Sequence, residues 1–390
     1  MTTYRDVLRQ REMPAVLLAH AVSLTGSVAA EVALSVLVYR RTASPLLSAL
    51  TLACAFVPQA FSAIALSGLV DRFPPRRLLV TCDLLCAGLV AGMTVQGTPT
   101  AVLLLLAAAT GLITPLFGGA RSATLADLLE GEVWVRARSM MRVLSQTALL
   151  LGFAVGGLAL AAVGPRWLLV ADAASFVVSA LVLRLGTTAR PARGGHRGRV
   201  SFGVAGRALR DPQLRPLLLM MWLPSACASS IDALATPYAA PHTTAIGLML
   251  AAAAVGTIGS ELLGRRVRHE RFVASLTAVG LGLFAFHPPV WLAIPITVLA
   301  MQGGAIGQLL DGRLLAAMDE TSRGQLLSLQ SGLLMGIQGA GIAVAGALAE
   351  ALPAYTVLAL FGAVDLVCVW TLLRPQESRR IVKASPSLPS

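Results

Sequence analysis

Negative charge and aromatic side chains are both scarce in this chain. Only 19 of its 390 residues are Asp or Glu, charged residues of both signs amount to 13%, and aromatic residues amount to 5%. A soluble domain carries about 25% charged residues, so this composition excludes an ordinary water-soluble globular protein. Hydrophobic residues make up 56% of the chain, and the mean hydropathy is +0.75. These values are typical of a membrane protein.

Sequence signatures of catalysis and of metal binding are also missing. The chain contains no H-E-x-x-H motif, no P-loop and no glycine-rich nucleotide-binding loop. This argues against an enzyme and against an ATP-driven pump. The five cysteines all lie inside apolar runs, and no histidine joins Cys82 and Cys86, which are spaced four residues apart. We therefore predict no metal site and no cofactor.

Lysine is nearly absent, and the positive charges alternate along the chain. Lys383 is the single lysine, and of the 31 cations 28 lie in every second gap between apolar segments. Cytoplasmic loops are enriched in Lys and Arg, so we predict a multi-pass protein of the cell membrane with both termini in the cytoplasm. The net charge of +12 would then face anionic membrane lipids, and nucleic acid is not a predicted partner. The cations in the other gaps are Arg40, Arg41 and Arg166.

Twelve apolar segments predict an all-α protein with twelve transmembrane helices. About 20 apolar residues suffice for a helix to span a bilayer, and backbone groups in lipid must be bonded within their own segment. The segment 272–286 is the shortest of the twelve. The predicted spans are 15–39, 45–69, 78–97, 100–120, 143–163, 167–185, 216–238, 244–263, 272–286, 290–310, 326–349 and 354–373.

A polar stretch in the middle divides these helices into six plus six. Residues 186–215 contain RPARGGHRGR, which is typical of a flexible cytoplasmic linker. A weak internal repeat supports the division, because segment 145–152 resembles segment 329–336 at an offset of 184 residues. We therefore predict two pseudo-symmetric six-helix bundles, 1–185 and 216–390. We expect a monomer.

The loop after the second predicted helix carries clustered charges. It reads SGLVDRFPPRRLL, and its two prolines end one helix and begin the next. In such a tight hairpin, carboxylate and guanidinium groups can form bidentate bonds. A plain basic loop is the alternative interpretation. The charged residues are Asp71 and Arg72 before the prolines, and Arg76 and Arg77 after them.

This loop resembles the signature G-x-x-x-D-R-x-G-R-R of the major facilitator superfamily. Ser67 stands at the first glycine, and Pro74 and Pro75 replace the residues before the arginine pair, with one residue more. The resemblance implies a cytoplasmic latch between helix ends that holds the outward-open state. Its residues would be Asp71, Arg72, Arg76 and Arg77, joined by Arg121 from the fourth helix and by Asp83 of the third, which we expect to pair with the arginines.

The fifth predicted helix carries a second resemblance. The sequence GFAVGG is similar to the antiporter signature G-P-x-x-G-G of the same superfamily, with Phe153 in place of proline. Its glycines, Gly152, Gly156 and Gly157, allow close packing between the two bundles, and ordinary small-residue packing is the alternative. Five further strings resemble the branch that holds macrolide and siderophore exporters: VYRRTASPL, LFGGARSATLADLL, ADAASFVVSALVL, ALRDPQLRPLLL and TSRGQLLSL. The resemblance implies drug/proton antiport.

Acidic residues inside the predicted helices are candidates for proton coupling. Glu31 lies 16 residues into the first span, and no cation lies within two turns of it on its own helix. An ionisable group at that depth is costly and is a functional candidate for that reason. An acid that merely faces a water-filled cavity is the alternative. His20 is the second candidate, or else a hydrogen-bonded polar residue. Asp172 and Asp232 are predicted near outer helix ends, where water reaches them.

Other polar and aromatic residues inside the spans predict a wide central cavity, which would suit a bulky amphiphile. We therefore expect a proton-coupled secondary exporter of a small amphiphilic molecule, driven by the proton gradient. An importer or uniporter, and a non-transporting sensor or scaffold of the same fold, are the alternatives. The cavity candidates are Phe56, Gln59, Gln146, Trp222, Asp232, Gln302, Gln330 and Gln338.

Overall fold

The computed structural model describes residues 7–65, 72–129, 131–191, 209–240, 242–264, 269–317 and 323–373. Across these ranges the chain is helical and has no strand. It runs twelve times from one end of the molecule to the other. Eleven of the helices are long and apolar enough to cross a membrane. The predicted all-α class is confirmed.

The twelve passes are numbered α1 to α12 in chain order. In the first half they are α1 Met13–Thr42, α2 Pro45–Ala65, α3 Pro75–Thr94, α4 Thr100–Leu128, α5 Gly131–Val163 and α6 Pro165–Gly186. In the second half they are α7 Leu214–Ala228 and Ser230–Ala239, α8 Thr243–Gly264, α9 Glu270–Gly282, α10 Val290–Ala300 and Gly307–Ala317, α11 Arg323–Leu348 and α12 Ala354–Leu372.

Two passes of the second half are broken near their middle. α7 is interrupted at Ser229, and α10 contains the 3₁₀ turn Gln302–Ile306. Backbone carbonyls freed by such breaks need partners because no water is available in lipid. Ser230 Oγ donates to the Cys227 carbonyl at 2.6 Å, and Gln302 Nε2 donates to the Val298 carbonyl at 3.0 Å. Side chains therefore satisfy the groups that the breaks release.

The predicted short span is short in the structure too. α9 has 13 α-helical residues, and the 3₁₀ turn Leu283–Phe286 completes its pass. This pass is the one that falls below the length of a membrane-spanning helix.

The two halves meet mainly along two helix pairs, α2 with α11 and α5 with α8, and the second segment of α7 also contacts α1 and α2. The offset of 184 residues between the repeated segments relates α5 to α11, and α2 and α8 are each the second pass of their half. Each pair is therefore the counterpart of the other under the same pseudo-symmetry, as expected for a parallel repeat of two six-helix units.

The molecule has two ends, which we call the termini end, where α1 begins and α12 ends, and the opposite end. At the opposite end one apolar cluster joins both halves and includes Val36, Leu234 and Ile342. Toward the termini end each half has apolar clusters of its own. The halves are thus closed against each other at the opposite end.

Polar contacts support closure at the opposite end. Glu350 accepts hydrogen bonds from Ser44 Oγ at 2.5 Å and from the Leu46 backbone N–H at 3.0 Å. Arg40 donates to Thr243 Oγ1 at 3.0 Å. All three bonds join the first half to the second. At the termini end, Arg142 of α5 forms a salt bridge of 2.9 Å with Glu261 of α8.

The predicted linker 186–215 lies largely outside the described residues. Its first residues are tied to the start of α1, because Arg190 donates to both carboxylate oxygens of Glu12 at 2.8 and 2.9 Å. Thr188 adds a hydrogen bond to Glu12 at 2.6 Å. Burial of Glu12 opposes ionisation, but the bonds from Arg190 and Thr188 outweigh it and lower the pKa of Glu12.

Candidate functional site

The first of two central cavities lies between the halves, and we call it the interhalf cavity. Its volume is about 220 Å³. Glu31 of α1 and Asp232 of α7 both line it, so each half contributes one carboxyl group. The remaining wall is mostly apolar and includes Phe56, Phe153 and Met301. The charged groups that line this cavity are therefore both acidic.

The second cavity lies within the first half, and we call it the first-half cavity. Its volume is about 440 Å³, and residues of α1, α2, α3, α4 and α6 form most of its wall. Its ionisable lining residues include His20, Glu31, Arg121 and Asp172. Leu149 of α5 and Met335 of α11 complete the wall, which places one side of this cavity at the boundary between the halves.

Glu31 lines both cavities, as does Phe56 beside it. α1 brings Glu31 to this point because its other faces pack against α5 and α6. Glu31 shares the interhalf cavity with Asp232 and the first-half cavity with Asp172. Three carboxyl groups from three helices therefore line the two cavities, and Glu31 is common to both.

Asp172 differs from its predicted setting. It is 2% exposed, and its Oδ1 accepts hydrogen bonds from Ser175 at 3.2 Å and from Ser27 at 3.4 Å. Asp172 is not at an exposed outer helix end as predicted, because α1 packs over this part of α6 and the carboxyl group lines the first-half cavity instead. Gly26 permits that close approach: a Cβ atom there would lie 2.4 Å from Ser175 Oγ.

His20 lies eleven residues before Glu31 on α1, nearer the termini end. Its side chain is 8% exposed, and Nε2 is 2.7 Å from Ser145 Oγ on α5. His20 lines the first-half cavity together with Arg121. Arg121 donates from Nε to the Phe117 carbonyl at 3.2 Å.

Asp83 does not pair with the arginines of the predicted latch in this structure. It is completely buried, and its Oδ2 accepts a hydrogen bond of 2.7 Å from Ser179 of α6. Its Oδ1 has no hydrogen-bond partner. The reason is depth: Asp83 lies two turns inside α3, where it faces a small cavity that His20 and Arg121 also line.

The latch itself is only partly visible. Asp71 lies outside the described residues, so its contacts with Arg72, Arg76 and Arg77 stay a prediction. Arg72 and Arg77 are exposed at the start of α3. Arg76 donates a hydrogen bond to the Arg184 carbonyl at the end of α6.

The three glycines of α5 lie at close helix contacts. A Cβ atom at Gly152 would lie 2.7 Å from Val28 Cβ, and one at Gly156 would lie 2.9 Å from Ala29 Cα, both on α1. A Cβ atom at Gly157 would lie 2.5 Å from the Cα of Gly247 on α8, across the boundary between the halves. Phe153, at the proline position of the signature, lines the interhalf cavity.

Four predicted cavity residues line the two cavities, and four do not. Phe56, Gln146 and Asp232 line the interhalf cavity, and Gln59 lines the first-half cavity. The other four line neither of these two cavities, and they are Trp222, Gln302, Gln330 and Gln338.

Packing explains why each of these four residues lies outside the two cavities. Trp222 is 4% exposed in an apolar cluster with Leu218 and Leu314. Gln302 donates to the Val298 carbonyl at the break in α10, and it also donates to the Gly256 carbonyl at 3.1 Å. Gln338 donates to Ser225 Oγ at 2.6 Å, which joins α11 to α7. Gln330 is 7% exposed beside Met221.

Several lining residues were missed by the sequence prediction. Phe153 and Met301 were indistinguishable from other apolar residues in their spans, and so was Leu149. Thr110 and Thr114 of α4 also line the first-half cavity, and their spacing of four residues on one helix face is a weak signal that could have found them. Within the described part of the chain, no group of His, Cys, Asp and Glu could hold a metal ion.

Twelve helices in two halves around central cavities with buried carboxyl groups define a membrane transporter. The sequence model described as Major Facilitator Superfamily matches residues 16–310. The chain belongs to the major facilitator superfamily. It is a multi-pass membrane transporter and not an enzyme.

Solved transporter structures share this fold. A variant of the nucleoside transporter NupG has a TM-score of 0.70 and 13% identity, over 92% of this chain and 99% of that chain. A variant of the peptide transporter POT in complex with alafosfalin has a TM-score of 0.69 and 15% identity, over 96% and 98%.

A bacterial homolog of the human lysosomal transporter Spinster, in an inward-facing and unoccupied conformation, has a TM-score of 0.64 and 15% identity, over 92% of this chain and 93% of that chain. At these identities the similarity establishes the fold alone. No curated protein matches this chain.

Proposed function

We propose that this transporter is a proton-coupled exporter of a small amphiphilic molecule in the cell membrane. The observation that carries the proposal is the position of Glu31, which faces both cavities and lies close to Asp232 of the other half. A carboxyl group at that point can carry a proton in one state and interact with substrate in the other. The apolar walls suit the uncharged part of an amphiphile.

The mechanism is alternating access. The halves 1–185 and 216–390 rock about the central cavities, and closure at the opposite end corresponds to an inward-facing state if the termini are cytoplasmic. The latch at Asp71, Arg72, Arg76 and Arg77 would then close in the outward-facing state, which fits the exposure of Arg72 and Arg77 in the present one.

The test is transport against pH in proteoliposomes, using rhodamine B as the amphiphilic probe. We expect Glu31→Gln to abolish uphill transport driven by a proton gradient while the protein still binds the dye, because Gln keeps the shape of Glu but cannot release a proton. His20→Gln is the control on the same helix. Asp365→Asn is the control for a buried acid, because Asp365 is completely buried outside both cavities.

The outcomes separate the alternatives. If Glu31→Gln accumulates dye against a gradient as the wild type does, Glu31 has no coupling role. If the wild type equilibrates the dye without any dependence on a proton gradient, the protein is a uniporter. If it moves no solute at all, the sensor or scaffold interpretation replaces the proposal.

A further inference from the structure

The first-half cavity has opposite charges at two levels. Arg121 and His20 lie at the level nearer the termini end, and Glu31 and Asp172 lie at the inner level. His20 and Glu31 are eleven residues apart on α1, which corresponds to about 16 Å along the helix axis. The reach of the Glu31 and Arg121 side chains shortens the distance between the charges themselves.

The charge of Arg121 has no partner of opposite sign among the described residues. Its one hydrogen bond is the Nε contact with the Phe117 carbonyl, and no salt bridge to it is found in that part of the chain. Asp83 faces the same small cavity but is bonded to Ser179. A guanidinium group is always charged and has five N–H donors, so Arg121 keeps donors for a ligand.

The acidic level is arranged differently. Asp172 is held by Ser27 and Ser175, and Glu31 is the carboxyl group that both cavities share. Between the two levels the wall combines the apolar residues Leu24, Val28 and Phe176 with the hydroxyl groups of Ser23 and Ser27. The cavity thus has a cationic level, a middle lined by apolar and hydroxyl groups, and an acidic level.

We propose that the first-half cavity binds its substrate as a zwitterion, with the carboxylate of the substrate on Arg121, its basic group on Glu31 and Asp172, and its apolar body between them. This inference rests on the proposed function, and it names the substrate class of that site. Arg121 would bind the carboxylate in the bidentate geometry that a guanidinium group favours.

The same arrangement selects against other amphiphiles. A cation without a carboxylate would leave the half-buried guanidinium group without a partner, and an anion without a basic group would face Glu31 and Asp172. A site built to bond a polar group rejects an analogue that lacks it, because its own buried groups are then left unpaired.

The test uses two dyes that differ only in the carboxylate. Rhodamine B is a zwitterion at neutral pH, and its ethyl ester is a cation with the same ring system. Binding of each dye to the purified protein in detergent is measured by fluorescence anisotropy. We expect the wild type to bind rhodamine B at least tenfold more tightly than the ester.

Variants assign this preference to Arg121. Arg121→Gln should abolish the preference by weakening the binding of rhodamine B, while the ester binds as before or more tightly. Arg121→Lys should retain part of the preference, because it keeps the charge but loses the bidentate fork. Arg166→Gln, at the opposite end and outside both cavities, should retain all of it.

The wild-type comparison alone can overturn the proposal, whether or not the variants fold. Equal binding of both dyes, tighter binding of the ester, or no saturable binding of either dye would each do so. The experiment needs no proton gradient. Carboxylate-dependent binding without proton-driven transport would therefore refute the proposed function alone, and proton-driven transport without carboxylate preference would refute this inference alone.

Discussion

Glu31 is the carboxyl group at which the two central cavities meet. Its carboxyl group faces a cavity between the halves and a cavity within the first half, and it shares each cavity with one further carboxyl group. A change in the charge of Glu31 would therefore alter the electrostatic potential at a substrate in either cavity and at Asp232 of the second half. That is the physical requirement for coupling a proton to a conformational change.

A second residue-scale feature is the buried carboxylate of Glu12 at the start of α1. We expect Glu12→Gln to lower the free energy of unfolding by about 1–3 kcal/mol at neutral pH, because a buried group bonded to Arg190 and Thr188 loses its charge. The measurement is thermal unfolding of the purified protein against pH.

The pH dependence gives the control for Glu12. Because the folded-state pKa of Glu12 is lowered, its contribution is fully present above the unfolded-state pKa of about 4.3. It is lost as the pH falls through the folded-state value, so wild type and variant should converge in acid. A difference that persists unchanged at the lowest pH would contradict this role.

At the scale of helices, the contact between α5 and α8 depends on two glycines that face each other. We expect Gly157→Ala to reduce transport at least tenfold, because its methyl group would lie 2.5 Å from the Gly247 backbone and would separate the halves at the opposite end. Transport of rhodamine B and thermal stability are the readouts.

Gly88→Ala is the matched control for this helix contact. A Cβ atom at Gly88 meets nothing within 4 Å, and alanine favours a helix over glycine by about 1 kcal/mol. Gly88→Ala should therefore transport as the wild type does. Normal transport by Gly157→Ala would show that α5 and α8 need not approach so closely.

At the scale of the whole molecule, Glu350 fastens the closed end. The hydrogen bond from Ser44, with that from Leu46, lowers the pKa of Glu350, so the contact should persist to acidic pH. We expect Glu350→Ala to shift the population several-fold toward a state open at this end, because exposed bonds of this kind contribute about 1 kcal/mol or less each.

Spin labels at Val95→Cys and Leu352→Cys, in a background without the native cysteines, would measure this opening. Both positions are exposed at the opposite end, one in each half. The fraction of long distances should rise in Glu350→Ala and stay near the wild-type value in Glu350→Gln, which keeps an acceptor oxygen. An unchanged distance distribution in both would rule out Glu350 as a fastener.

Orientation in the membrane is the other prediction at this scale. The alternation of cations predicts that both termini and the linker are cytoplasmic. Cysteines introduced at Ser201 and Ser390, again without the native cysteines, should resist impermeant thiol reagents in intact cells and react after lysis. Efficient labelling of either position from outside would contradict the predicted topology.

The sequence by itself determined the helices of this protein. The span predicted at 15–39 is α1, Met13–Thr42, and the span predicted at 354–373 is α12, Ala354–Leu372. Backbone hydrogen bonds cannot be left open in lipid, so a long apolar run has essentially one outcome. The same cost of burying charge marked Glu31 as a candidate without any knowledge of its neighbours.

Only the tertiary structure decided which way each side chain faces. A membrane helix is apolar on its lipid face and on its protein face alike, so the pattern that orients a helix in a soluble protein is weak. For that reason the sequence predicts Trp222 and Gln338 as cavity residues. In the structure Trp222 packs in an apolar cluster, and Gln338 joins α11 to α7. For the same reason the burial of Asp172 and the opposing charges of the first-half cavity became visible only once α1, α4 and α6 were packed together.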